Sequence, residues 1–134
     1  MILLDTHALV WMDKDDPSLG ADARRLIRKA WDGQAACVSA VSFWECAILL
    51  AKRRLALRLP AQEWRAELLA YGLMELPLDG HCAIAAAQLD LPHKDPADRF
   101  IAATAIAHQA TLITADDNLL RWRHKALRRH DARK

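Results

Sequence analysis

A short apolar run that stops on a carboxylate opens the chain and constrains everything after it. Ile2, Leu3 and Leu4 are apolar without alternation, the pattern of a strand covered on both faces. Asp5 ends the run, and Thr6-His7-Ala8-Leu9-Val10-Trp11 then turns helical, with apolar residues at 8, 9, 11 and 12. A buried strand passing directly into a helix belongs to an α/β sheet. Asp5 then lies at the carboxyl edge of that sheet, where such folds bind ligands. Taken alone, Asp5 reads equally well as the N-cap of the helix that follows.

The alternation continues along the chain. Ala36-Cys37-Val38-Ser39, Met74-Glu75-Leu76-Pro77-Leu78 and Thr111-Leu112-Ile113-Thr114 read as the second, third and fourth strands. Between them, Ser18 is expected to cap a helix from about 19 to 31 that Asp32-Gly33 closes. Ser42 with Glu45 matches the capping-box pattern and opens a helix that runs to Lys52-Arg53-Arg54. Pro60 or Ala61 starts another helix, which Gly72 stops. Asp79 caps an alanine-rich helix over 80–90, whose small residues allow close packing on a neighbour. Asp95, with Pro96 at the first helical position, opens a helix to about His108 or Gln109 that is apolar nearly all round and so expected to be buried. A last helix is expected from about 118 into a basic tail, with a short edge strand near Leu127. The fold class is α/β: one domain over 1–134, a parallel four- to five-stranded sheet flanked by helices.

Composition limits the function classes. Hydrophobic residues make up 53% and charged residues 27% of 134 positions, enough for one packed core. No apolar run approaches the ~20 residues of a membrane helix. The N-terminus lacks the basic segment of an export signal, and Asp5 interrupts its apolar start, so a cytoplasmic protein is expected. Cys37, Cys46 and Cys82 lie far apart in apolar surroundings and read as reduced core residues. The charge is uneven. Residues 121–134 carry seven basic side chains against Asp131, net +6, so the overall +2 leaves −4 on the rest. A basic end on an acidic body suits contact with a polyanion, and equally an ordinary solvated terminus.

Four acids share one placement. Asp5 follows the first strand and Asp116 the fourth. Glu45 lies near the start of the helix after the second strand. Asp98 lies in the first turn of the helix that feeds the fourth. Each has a local explanation as a cap or first-turn residue, but on a parallel sheet all four can reach the same edge. Carboxylates gathered in a partly desolvated pocket repel one another and persist when a divalent cation neutralises them. Oxygen ligands in this number select Mg²⁺ or Mn²⁺ over zinc. Such cations position and polarise phosphates.

The stretches Leu3-Leu4-Asp5-Thr6-His7, Ser39 to Glu45, Asp95-Pro96-Ala97-Asp98-Arg99-Phe100-Ile101-Ala102-Ala103-Thr104-Ala105 and Leu112-Ile113-Thr114-Ala115-Asp116 resemble the successive motifs of PIN-domain proteins, most closely VapC-type toxins of bacterial toxin–antitoxin pairs. The resemblance spans roughly residues 1–120. It implies a five-stranded parallel sheet and a Mg²⁺- or Mn²⁺-dependent endoribonuclease. It places Asp5, Glu45, Asp98 and Asp116 as catalytic metal ligands, with Asp5 and Asp98 at the centre. Thr6, Asp95, Thr114 and Asp117 stand behind them, Asp95 alternatively as a helix cap. Water activated by the metal would attack the RNA phosphodiester in line. His7 is expected on the helix surface or behind the ligands. Arg99 and the basic tail would hold the RNA backbone, or Arg99 would pair with a nearby acid.

The same resemblance implies a cognate antitoxin over the acidic pocket and a homodimer. Helices 45–57 and 61–71, with Trp44, Trp64 and Tyr71, are either those contact surfaces or intramolecular core. Three alternatives remain at this point. The first is a PIN nuclease of RNA processing, which gene neighbours would separate from a toxin. The second is a catalytically silent PIN-like interaction module, indifferent to Asp5→Asn. The third is an aspartyl-phosphate enzyme, disfavoured because no second Asp stands two residues after Asp5. No P-loop or GxGxxG motif appears.

Overall fold

In a computed structural model, residues 1–92 and 95–134 are described, so the His93-Lys94 part of the polar stretch lies outside them. The strands are β1 (Ile2–Leu4), β2 (Ala36–Ser39), β3 (Met74–Leu76), β4 (Thr111–Thr114) and β5 (Arg128–Asp131). The helices are α1 (Thr6–Lys14), α2 (Ala21–Asp32), α3 (Ala40–Ala51), α4 (Ala61–Ala70), α5 (Gly80–Gln88), α6 (Pro96–Ala107) and α7 (Asp117–Arg121). One parallel sheet runs in the order β3-β2-β1-β4-β5. The opening strand is therefore its centre. Leu4 pairs with Val38 on one side and Ile113 on the other.

The unbroken apolar run of β1 follows from that place. Ile2 and Leu4 point into one core with Val38, Ile113, Leu9 of α1, Ile27 of α2 and Trp64 of α4. Leu3 points into the other with Cys37, Leu112, Ile101 of α6 and Trp122. Leu3 and Leu4 are wholly buried. Burying a leucine is worth about 1.5–3 kcal/mol, so these strands hold the sheet from both faces. The alanine-rich α5 packs on α6, whose Ala97, Ala102, Ala103 and Ala105 are buried. The three cysteines are buried and unbridged.

Trp64 is core, stacked edge-on against Phe43 at 5.8 Å between centroids. Trp44 and Tyr71 are not, at 57% and 72% exposed. The two candidate surfaces thus divide residue by residue.

Three local expectations fail for identifiable reasons. The second helix starts at Ala21 behind Gly20, not after Ser18, because Ser18 takes part in a turn in which its N–H donates to Asp16 Oδ1 at 2.8 Å. The cap of α3 is Ser39, whose hydroxyl accepts the Val41 N–H at 3.1 Å, three residues ahead of Ser42. Ser42 is buried inside the helix, and the capping-box role for Glu45 disappears. The last helix is only Asp117–Arg121 and does not run into the basic end, which instead forms the edge strand expected near Leu127, as β5 beside β4. Its closing residues are pinned to the start of α2, where the Gly20 N–H donates to Ala132 O and the Asp22 N–H to Lys134 O, each at 2.8 Å.

Candidate active site

The carboxyl ends of β1 and β4 lie side by side, and their chain exits carry the first two acids. Asp5 leaves β1 in extended conformation and caps α1, its Oδ1 accepting the Ala8 N–H at 2.8 Å. It is 4% exposed. Burial pushes its pKa up, against the pull of a hydrogen bond from Thr114, the Ala8 amide and the neighbouring His7. Thr114, the last residue of β4, is fully buried, and its hydroxyl oxygen also accepts the Asp116 N–H at 3.0 Å. One threonine thus ties the two strand exits together. Asp116 caps α7, accepting the N–H groups of Asn118 and Leu119 at 2.8 and 3.1 Å.

The other two acids come from helices. Glu45 sits on the second turn of α3, and its Oε1 accepts the Thr6 hydroxyl at 2.5 Å. Thr6 also contacts the buried Ser42 Oγ at 3.0 Å, so α1 and α3 are joined at this point. Burial raises the pKa of Glu45, the Thr6 bond lowers it, and the charges of Asp95 and Asp5 raise it again. Asp98 is the third residue of α6, just behind its cap Asp95, whose Oδ1 accepts the Ala97 N–H at 3.0 Å.

All four acids line one cleft of about 440 Å³ with Asp95, Thr6, His7, Trp11, Ala115 and Arg133. Thr114 lies beneath it. Asp117 turns to the rim and pairs with Arg133 at 2.9 Å, while Arg133 also holds Asp131. Arg99 does not line this cleft. Its guanidinium donates to the carbonyls of Ala86, Leu89 and Leu91 at 3.1, 2.6 and 2.8 Å, fastening the end of α5 to α6.

Sequence reasoning missed Trp11 and gave Arg133 no place of its own. Trp11 follows His7 by one helical turn, so the two project from one face of α1. That spacing was available. The return of the chain that brings Arg133 back to the cleft was not.

Among the described residues, no three carboxylate, His or Cys groups are gathered closely enough to hold a metal ion. The chemistry of the donor set still fits a hard divalent cation. The acids of the cleft are oxygen donors, and burial disfavours the charged forms of Asp5 and Glu45, a penalty that a cation would relieve.

A parallel sheet with acids converging at the exits of two central strands is the arrangement of a PIN domain. The sequence profile of that domain matches residues 2–125. The chain is 33% identical over 126 residues to Ribonuclease VapC22 of Mycobacterium tuberculosis, covering 92% of each. Its fold matches VapBC2 from Rickettsia felis bound to a DNA fragment from their promoter, with a TM-score of 0.71, 17% identity and coverage of 97% of this chain and 98% of that one. It also matches a toxin–antitoxin complex from Klebsiella pneumoniae, with a TM-score of 0.57, 23% identity and 87% of each chain covered. The chain belongs to the PIN-domain family, in its VapC-type branch.

Proposed function

We propose that the chain is an endoribonuclease that hydrolyses RNA phosphodiester bonds with Mg²⁺ or Mn²⁺ and serves as the toxin of a toxin–antitoxin pair. The observation that carries this reading is the cleft. Asp5, Glu45, Asp98 and Asp116 reach it from four different elements, in a chain one-third identical to a ribonuclease.

Asp5, Glu45, Asp98 and Asp116 are the residues that would hold the cation. When bound, it would polarise a phosphate oxygen and make water a nucleophile at neutral pH. The chain's own contribution is orientation. Thr6 fixes one oxygen of Glu45, and Thr114 couples Asp5 to the Asp116 backbone. Asp95 keeps its cap role at the cleft wall, and Asp117 steadies Arg133 at the rim.

The partner follows from likeness to VapBC pairs and a toxin–antitoxin complex. A small antitoxin would cover the cleft, and two copies of this chain would form a homodimer. Among the described residues no helix is long and apolar enough to cross a membrane, which accords with a cytoplasmic site of action.

RNA cleavage by the purified, antitoxin-free chain tests the reading, with Mg²⁺ or Mn²⁺, with EDTA, and with Asp5→Asn beside wild type. Loss of cleavage in both EDTA and the variant is the expected result. Activity that survives both would assign it to another site or a contaminant and sink the proposal.

A further inference from the structure

The acid cleft does not end at the acids. Past Thr6, His7 and Trp11 it meets a second hollow of about 280 Å³, which those same three residues also line. Val10, Leu49 and Leu55 supply apolar wall there, and Lys14 and Arg54 are its cations. Asp16 lies in it too, but its carboxylate is engaged by the Ser18 N–H at 2.8 Å. His7, Trp11 and Lys14 follow one another at helical spacing along one face of α1. The His7 and Trp11 rings stand edge to face, 6.3 Å between centroids, with His7 exposed. The path therefore runs from carboxylates, over two aromatic rings, to two positive charges.

That order matches a single-stranded polynucleotide. Aromatic rings stack bases without regard to sequence, and cations track the backbone. Duplex RNA keeps its bases paired and offers no free face to such rings. Resting on the nuclease reading above, we infer that this second hollow binds the unpaired RNA flanking the scissile bond. One base stacks on the His7–Trp11 pair, and the phosphates beyond it meet Lys14 and Arg54.

The test is binding of a fluorescent, unstructured oligoribonucleotide of about ten nucleotides to the full chain carrying Asp5→Asn, which prevents turnover. Trp11→Ala in that background is expected to weaken binding about tenfold, and Trp11→Phe to retain most of it. Trp11 packs partly on the core, so the Phe variant separates stacking from damage to the fold. Lys14→Glu with Arg54→Glu is expected to lower the salt slope of log affinity by roughly 1.4, about 0.7 for each single-strand phosphate that is no longer neutralised. Binding of a hairpin-free duplex of the same sequence should not change with Trp11→Ala. If the oligonucleotide binds and neither change moves its affinity or slope, the inference falls while the nuclease reading stands. Equal losses on single-stranded and duplex RNA, or equal losses in the Ala and Phe variants, would also overturn it. If wild type neither cleaves nor binds any RNA, both fall.

Discussion

Thr6 and Glu45, 39 positions apart, are joined by a 2.5 Å hydrogen bond between the first residue of α1 and the second turn of α3. The bond fixes which way one carboxylate of the cleft points. Thr6→Val removes the donor with little change of volume. RNA cleavage should fall roughly 10–100-fold, as when the partner of a metal-ligating group is lost, and Thr6→Ser should restore most of it. Unchanged cleavage in Thr6→Val would show that Glu45 needs no such support.

Burial disfavours the charged form of Asp5, which also caps α1. Asn keeps the cap oxygen and removes the charge. Without divalent cation at neutral pH, Asp5→Asn should therefore melt no lower than wild type, although it should abolish cleavage. Asp5→Ala loses the cap as well and should cost about 1 kcal/mol. Mg²⁺ or Mn²⁺ at ten times its dissociation constant should stabilise wild type by about 1.4 kcal/mol and leave Asp5→Asn unmoved. Thermal melting with and without the cation reads both.

Away from the cleft, Arg65 on α4 holds Glu75 of β3 with two parallel bonds, Nε to Oε2 at 2.6 Å and Nη2 to Oε1 at 2.8 Å. The guanidinium keeps the Glu75 carboxyl below its ordinary value of 4.5, more than its partial burial raises it. A folded pKa below the unfolded one stabilises the fold above the unfolded value, and that stabilisation is lost as pH falls through the folded one. Glu75→Gln should thus lower the melting temperature modestly at neutral pH. The difference should shrink below about pH 4.5 and vanish in stronger acid, as melting across a pH series would show.

Gly20 is the N-cap of α2, and a methyl group there would run into the backbone of Lys134. Gly20→Ala should destabilise by about 1–3 kcal/mol, the usual cost of forcing an atom into packed space. Hydrogen exchange should quicken first at the Gly20 and Asp22 amides that hold the chain end. A variant as stable as wild type would mean that the chain end yields at no cost.

Much of this fold is legible because β1, β2 and β4 are buried on both faces and read as plain apolar runs. The caps Asp5, Asp79 and Asp95 are legible for another reason: each is an acid just ahead of a helical pattern, and each accepts an N–H two or three residues on. Ser39 and Ser42 show the limit. Both are serines at a strand-to-helix junction, and only the closing of β2 against its neighbours decides which one caps. β5 is harder still. Arg128-Arg129-His130-Asp131 has no apolar alternation and becomes a strand by pairing with β4 while Leu127 and Ala132 at its ends are buried. The four acids of the cleft could be picked out because each follows or opens a regular element. Arg133 could not, because its place depends on how the chain turns after β5, and the carbonyls that engage Arg99 belong to the end of α5 and the segment after it, whose path the sequence does not state.

The central position of β1 also sets when the molecule can act. A ribosome that has released the first hundred residues has made three of the four acids, yet one flank of β1 is bare until residues 111–114 emerge to pair with it. Asp116 and the strand that closes the sheet come later still. A nascent chain therefore carries a half-built centre through most of its synthesis. Cleavage competence should arrive late and abruptly, only once residues 111–131 have emerged to complete the sheet and the set of acids.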